Sequence, residues 1–125
     1  MIIQIQLDSE VPIYAQLRDQ IVAAIAAGGL AAGEQLPSVR RLAADIGIHP
    51  HTVNKAYAVL RDEGYILMDR RSRCRVAAHR SPDAAFTAGM TAKLAAIAAE
   101  AVCHRMAEED FLALCRENYR GVTSG

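Results

Sequence analysis

The chain has 125 residues, 52% of them hydrophobic and 5% aromatic, and its formal net charge is zero. This length provides one domain, or one small domain with an appendage, and argues against a separate ligand-binding domain. The Ala-rich composition without Trp favours helices over a sheet-built fold, and the zero net charge does not by itself point to nucleic acid.

The first residues alternate between apolar and polar side chains. Ile3, Ile5 and Leu7 are separated by Gln4 and Gln6, a period of two that is typical of a strand. We expect a short strand-like arm that packs on the domain. This segment is too short and too uncharged for a signal peptide.

A helix is predicted after Pro12. Apolar residues follow at helical spacing as far as Ile25, and Gly28 and Gly29 mark its end. The link from Leu30 to Leu36 is rich in turn-forming residues, and Gly33 within it suits a positive φ.

The segment from Leu36 to Leu60 is the most informative part of the chain, because its apolar spacing predicts two short helices joined by a tight turn. Gly47 can close the first helix in a left-handed conformation, and Pro50 suits the first residue of the second. Helices joined so tightly cross steeply, as in a helix-turn-helix. The second helix of that motif presents its first turn to DNA bases, and here that turn carries polar residues: His51, Thr52, Asn54 and Lys55.

Two short strand candidates follow Gly64. They are residues 65–68 and 74–77, and they flank the basic stretch Asp69-Arg-Arg-Ser-Arg73. A hairpin placed directly after a helix-turn-helix predicts a winged helix, whose wing can reach the DNA backbone or the minor groove. The wing arginines either form a solvated charged turn or contact phosphates, and we favour phosphate contact, above all for Arg71 and Arg73; they are Arg70, Arg71, Arg73 and Arg75.

Pro82 disfavours helix at the preceding residue, and a second region of nearly continuous helix formers follows it. We expect one helix from Ala84 to Val102 and a shorter one from about Glu108. These helices have too little chain for a core of their own, so we expect them to pack against a second copy. The predicted dimer interface contains their heptad-like apolar positions: Phe86, Met90, Leu94, Ile97, Ala101, Phe111 and Leu114.

Charge is distributed unevenly along the chain. Between Leu36 and Arg80 there are nine Lys and Arg against four Asp and Glu, an excess of about five positive charges that is balanced by an acidic remainder. Such a local excess is the footprint of phosphate contacts.

The sequence contains no pattern typical of catalysis, such as a phosphate loop, a nucleophile elbow or HExxH, so we expect no enzyme activity.

The three cysteines lack Cys-x-x-Cys spacing and are interpreted as free thiols in a reducing cytoplasm. Cys103, His104 and Cys115 lack metal-ligand spacing, so neither a metal nor a cofactor is expected. An alternative hypothesis for Cys74, which lies in the basic wing, is an oxidant-sensitive thiol with a lowered pKa. No apolar run is long enough to cross a bilayer without charges, so no membrane partner is expected.

Several motifs resemble the DNA-binding domain of GntR-type transcriptional regulators. They run from about Pro12 to Val76, and the short helical tail beyond them is similar to the YtrA-like branch of that family, which uses two helices to dimerise. The matching segments are Pro12-Ile-Tyr-Ala-Gln-Leu17, Gly33-Glu-Gln-Leu-Pro-Ser-Val-Arg40, Leu42-Ala43, Thr52-Val53, Lys55-Ala-Tyr57, Leu60 and Glu63-Gly-Tyr-Ile66.

The resemblance implies roles for individual residues. Ser38 would begin the second helix at a phosphate, Arg40 would reach DNA beside Arg41, and Tyr57 would either pack or contact a phosphate. The polar residues of the recognition helix fall on positions that touch bases and backbone in the family. Two departures concern His49 and His51, where the family commonly has Asn, and the wing tip, which lacks the usual Gly.

The sequence therefore predicts a mainly α protein, with a winged helix-turn-helix in residues 1–79 and a two-helix dimerisation tail in residues 80–125. We interpret it as a cytoplasmic, homodimeric regulator of transcription, most simply a repressor, bound to double-stranded DNA at a pseudo-palindromic operator. The resemblance implies a neighbouring operon, often for a transporter, as its target. An effector is unknown: a small molecule would have to bind at the tail–tail interface or between the tail and the winged domain, and the alternative is a protein that has no effector and acts through its own concentration. The alternative is a winged-helix protein-interaction module that does not bind DNA.

Overall fold

A computed structural model describes residues 1–71 and 73–124. It confirms the predicted class, a mainly helical winged helix-turn-helix with a small β-hairpin wing, followed by two further helices. The elements in chain order are α1 (Ile13–Ala26), α2 (Val39–Ile46), α3 (Pro50–Asp62), β1 (Ile66–Met68), β2 (Cys74–Val76), α4 (Ala84–Cys103) and α5 (Glu108–Ser124).

The chain divides into two units, the first spanning Met1–His79 and the second beginning at Arg80. Each of the first three helices buries one apolar stripe in the core of the first unit. Leu17 and Ile21 of α1 and Val53 and Leu60 of α3 are completely buried. Burial of whole aliphatic side chains contributes about 1.5–3 kcal/mol each, so this core fixes the position of α3.

The turn between α2 and α3 has the geometry that the sequence predicts. Gly47 ends α2 with φ of +73°, and Pro50 is in the first turn of α3. The backbone N–H groups of Gly47 and Ile48 both donate to the carbonyl of Ala43, which satisfies the end of α2. Gly64 closes the following helix in the same left-handed way, with φ of +86°.

The N-terminal arm packs on the core through Ile3 and Ile5, as the sequence predicts, but its strand-like alternation does not form a strand. Its backbone pairs instead with side-chain amides of α1. Gln20 accepts from the N–H of Gln4 and donates to its carbonyl, at 2.8 and 2.7 Å. Gln16 makes the corresponding pair with Gln6, at 2.9 Å in both directions. These amides occupy the backbone groups that a neighbouring strand would use, so the alternating pattern yields an extended arm without a sheet.

The wing is a two-stranded antiparallel sheet. Ile66 pairs with Val76 and Met68 with Cys74. The buried side chains of Ile66 and Val76 anchor its base in the core. Ser72, which the sequence analysis placed at the wing tip, lies outside the described residues.

The two helices of the second unit are separated by a sharp break after Cys103. Arg105 has φ of +56°, the only positive φ of a non-glycine residue in the described chain. Its N–H donates to Val102 and that of Met106 donates to Ala101, the bonding of a Schellman motif that usually places Gly at the left-handed position. The chain therefore bends at residues 105–107, and α5 begins at Glu108 as the sequence predicts.

Helix α4 is long and apolar enough to cross a membrane by length and composition, and it alone passes that test in the described part of the chain. The expectation from the sequence concerned apolar runs without charges, and this helix contains Lys93 and Glu100. Nine of its 20 residues are Ala, and Lys93 stands near the middle. A central Lys costs about 2.5–3.5 kcal/mol on insertion into a bilayer, which favours a protein partner for this helix.

Candidate nucleic-acid interface

The first turn of α3 displays polar side chains because the opposite side of the helix is committed to the core. Val53, Ala56, Tyr57 and Leu60 are buried. The side chains that project from the other face are exposed or, for Thr52, half-buried. They are His51, Thr52, Asn54 and Lys55. The structure thus brings together the four recognition-helix residues that the sequence singled out.

The start of α2 carries two further exposed guanidinium groups. Ser38 caps the helix by accepting the Arg41 N–H at 3.1 Å, which leaves Arg40 and Arg41 in the first turn. Arg41 makes an exposed ion pair with Asp45 at 3.9 Å, and such a pair contributes little to stability. Both arginines can therefore reorient towards an anionic partner at small cost.

Tyr57 belongs to the scaffold rather than to the surface. Its side chain is only 3% exposed, and its hydroxyl donates to the Pro37 carbonyl at 2.8 Å. Burial raises the pKa of Tyr57 above its usual value, so the phenol stays neutral. The family resemblance implies either packing or a phosphate contact for Tyr57, and the structure favours packing. The prediction that Tyr57 contacts DNA is corrected, because its side chain is buried and its hydroxyl is already hydrogen-bonded. The hydrogen bond instead ties α3 to the chain just before α2.

Side chains of α1 brace both ends of α3. Arg18 donates to both carboxylate oxygens of Glu63 at 2.9 Å, and these hydrogen bonds raise the pKa of the Arg18 guanidinium. The Nζ atom of Lys55 lies 4.1 Å from the centre of the Tyr14 ring, a distance suited to a cation–π contact. The Lys55 ammonium group thus lies against an aromatic ring of α1.

The turn of the wing is organised by an aspartate in the absence of Gly. Asp69 Oδ1 accepts the backbone N–H groups of Arg71 and Arg73, both at 2.9 Å, and Oδ2 accepts from Arg73 Nε at 3.2 Å. The Nε atom of Arg75 also lies 3.8 Å from Oδ2 of Asp69. Arg73, a predicted phosphate contact, is therefore partly neutralised within the wing. Arg70 and Arg71 are both exposed.

Acid should loosen this turn. Hydrogen bonds from the backbone N–H of Arg73, and also of Arg71, lower the pKa of Asp69 below its usual value. Because the folded-state pKa is the lower one, the stabilisation is complete above the ordinary carboxyl pKa and is lost as the pH falls through the folded pKa. Amide exchange and chemical shifts of Arg71 and Arg73 should report this loss. Asp69→Asn should keep the turn but remove its acid dependence, whereas unchanged amides in Asp69→Ala would contradict the assignment.

Cys74 does not have the environment of a reactive thiol. It is 8% exposed in strand β2, and burial raises the pKa of Cys74. A thiolate is the reactive form, and apolar burial disfavours it. The oxidant-sensor reading of this residue is therefore wrong, because its side chain points into the core and not towards the basic tip.

The second unit exposes a long apolar surface. No described residue of α4 or α5 is buried, and Phe86, Met90, Leu94 and Ile97 are each between 43% and 51% exposed. Ala101 and Phe111 are half-buried, and Leu114 is 45% exposed. A groove of about 470 Å³ between the helices is lined by Leu94, Ile97, Ala101, Phe111 and Leu114. The predicted dimer residues thus share one continuous apolar region of this unit.

Comparison with protein families finds one match over the first unit. The family described as bacterial regulatory proteins of the gntR family matches residues 13–76, just over half of the 125 residues. This is nearly the range over which the sequence motifs resemble that family. Among curated proteins, the HTH-type transcriptional repressor YtrA of Bacillus subtilis (strain 168) is 45% identical over 64 residues, or 51% of this chain and 49% of the relative. The match therefore spans about half the length of that relative.

Solved structures extend the similarity beyond this range. A transcriptional antiterminator from Listeria monocytogenes EGD-e has a TM-score of 0.93 at 26% identity, and the match covers 100% of this chain and 95% of that one. YtrA from Sulfolobus acidocaldarius, a GntR-family transcription factor, has a TM-score of 0.68 at 39% identity, covering 82% and 99%. The AraR DNA-binding domain in complex with operator ORE1 has a TM-score of 0.52 at 28% identity, covering 61% and 95%. The family and these relatives are regulators of transcription and not enzymes, as the sequence predicts.

Proposed function

The chain belongs to the GntR family of bacterial regulatory proteins, and we propose that it is a cytoplasmic, homodimeric repressor that binds a pseudo-palindromic operator in double-stranded DNA. Repression would follow from occlusion of a promoter, and a neighbouring transporter operon is the proposed target. The relative from Bacillus subtilis is described as a repressor, which supports this direction of regulation.

The observation that carries the proposal is the polar surface made by the first turns of α2 and α3. Exposed Arg40 and Asn54 have the side chains that make bidentate contacts with guanine and adenine edges. Ser38, Arg41, Thr52 and Lys55 have hydroxyl, guanidinium and ammonium groups suited to phosphates. The helices that carry these side chains pack on a buried core, which would hold them in one register on the duplex. Arg70 and Arg71 of the wing extend the cationic surface, with Arg73 in a lesser role.

Dimerisation is proposed because the second unit lacks a core of its own. Isolated helices are marginal in water, and here no described residue of α4 or α5 is buried. A second copy would cover the stripe formed by Phe86, Met90, Leu94 and Ile97. Lys93 and Glu100 flank the same stripe, and an antiparallel copy centred near Ile97 would bring unlike charges together. Two recognition helices would then read half-sites separated by about 34 Å, or a multiple of it.

Arg40→Ala should weaken binding to the selected operator by about 1–3 kcal/mol, because it removes a charged contact at a base edge or its phosphate. The operator is first obtained by selection from random duplex DNA at near-physiological salt. Affinity is then measured for the wild type, for Arg40→Ala and for Arg116→Ala, a matched loss of charge in α5. We expect the Arg116 variant to bind within about twofold of the wild type.

A protein-interaction module that does not bind DNA is the competing function. It predicts that the same selection enriches no dyad-symmetric site, and this result would overturn the repressor proposal. Arg40, Asn54 and Lys55 are exposed and Thr52 is half-buried on the two helices of the helix-turn-helix, which supports the regulator.

A further inference from the structure

Two imidazole rings form a stacked pair at the start of the recognition helix. The ring centroids of His49 and His51 are 4.9 Å apart, and the ring planes differ by 6°. Both residues are exposed. Side chains on a solvated helix end are usually mobile, but each ring here limits the motion of the other. The pair is therefore a small, preorganised surface on the element that we propose enters the major groove.

A backbone hydrogen bond determines which nitrogen of His49 carries the proton. His49 is the N-cap of α3, and its Nδ1 atom accepts the backbone N–H of His51 at 3.0 Å. A nitrogen that accepts this bond has no proton of its own, so the neutral ring is protonated on Nε2. Nε2 lies on the edge of the ring away from Nδ1. His49 consequently presents a single N–H donor away from the helix backbone.

We infer that His49 is a specificity-determining residue, and that its Nε2–H donates to a guanine in each half-site. This inference rests on the proposed operator binding. Guanine presents two adjacent acceptors in the major groove, N7 and O6, whereas cytosine presents a donor. Adenine and thymine each present a single acceptor, which lies beside a donor in adenine and beside a methyl group in thymine. A donor of fixed direction therefore discriminates in favour of guanine.

His51 has a different role in the stacked pair. It packs against the face of the His49 ring and limits rotation of that ring about its side-chain bonds. Holding the donor in place reduces the entropy lost when the hydrogen bond to the base forms. His51 is therefore a positioning residue for this contact. Its loss should weaken the preference for guanine less than loss of His49 does.

The decisive variant is His49→Asn, because Asn is also a good N-cap and can accept the same backbone N–H. Its shorter side chain keeps the helix but withdraws the outward donor. Binding selections with the wild type and with His49→Asn should both enrich a dyad-symmetric site. We expect the wild type to require guanine at one position of each half-site by on the order of tenfold or more, and the variant to lose that preference.

A change in the DNA provides an independent test of the contact. Replacing the guanine by 7-deazaguanine removes N7, and it should weaken wild-type binding while leaving His49→Asn unaffected. His51→Ala should show a reduced but measurable effect of the same replacement. An unchanged guanine preference in His49→Asn would overturn the inference and leave the repressor proposal standing. Failure of the wild type to enrich any dyad-symmetric site would overturn both.

Discussion

Ile97→Glu should convert the protein to a monomer and lower its affinity for a two-half-site operator by about 10²- to 10⁴-fold. Ile97 is 51% exposed at the centre of the apolar stripe on α4. In the proposed dimer, the substitution would place a carboxylate from each copy into the apolar interface. Burial of such a charge without a partner is costly. With the two copies separated, binding of the second half-site is no longer intramolecular.

Sizing and sedimentation at low micromolar concentration test the first part of this prediction, and titration of full and half operators tests the second. Ala99→Glu is the matched control, because it adds the same charge to an exposed position on the opposite face of α4. The control should remain dimeric. The Ile97 variant should bind full and half operators with nearly equal affinity. A monomeric wild type, or a dimeric Ile97 variant, would refute the assignment of this surface.

The helix-turn-helix is the part of the fold that the sequence predicts best. Apolar residues at helical spacing, Gly47 and Pro50 all indicate the same boundaries, and the structure places them there. Agreement between local conformational preference and the burial pattern leaves few alternative folds. The same reasoning locates the exposed recognition residues, since a residue that is not in the buried stripe must face outwards.

The differences arise where a side chain takes over a role of the backbone. The arm alternates like a strand, but Gln16 and Gln20 occupy its hydrogen-bonding groups. The wing turn has no Gly, and Asp69 closes it instead. Both depend on contacts that form only after folding, so neither periodicity nor composition could predict them. The inward position of Arg73 and the burial of Cys74 follow from the same wing geometry.

The ends of the helices also differ in how well the sequence predicts them. Gly28, Gly47 and Gly64 all have positive φ, and two of them were predicted as helix ends on that basis. Arg105 occupies the equivalent position after α4, where a side chain is strained. No local signal marks Arg105 as a helix end, and for this reason the sequence could not decide whether residues 105–107 bend. For His49, the sequence indicates a helix cap, but the ring orientation in which Nδ1 accepts the His51 N–H is set only in the folded chain.

Leu60→Ala should lower the free energy of unfolding of the first unit by about 2–5 kcal/mol. Leu60 is completely buried on α3, and the substitution leaves a cavity that neighbouring side chains fill only in part. Leu67→Ala is the matched control, because the same atoms are removed from a side chain that is 60% exposed on the wing. The control should change stability by less than about 0.5 kcal/mol.

Urea unfolding at one fixed protein concentration measures both variants, since dimerisation makes apparent stability depend on concentration. A loss of about 2–5 kcal/mol is a large share of the total of about 5–15 kcal/mol that is typical of folded proteins, so the Leu60 variant should be partly unfolded well below the midpoint of the wild type. Its folded fraction should still prefer the same operator bases, because Leu60 supports the position of α3 without reaching the surface that reads DNA. A variant of unchanged stability would show that the core of the first unit does not hold α3 in place. A variant with altered base preference would show that Leu60 also determines how the recognition surface reads DNA.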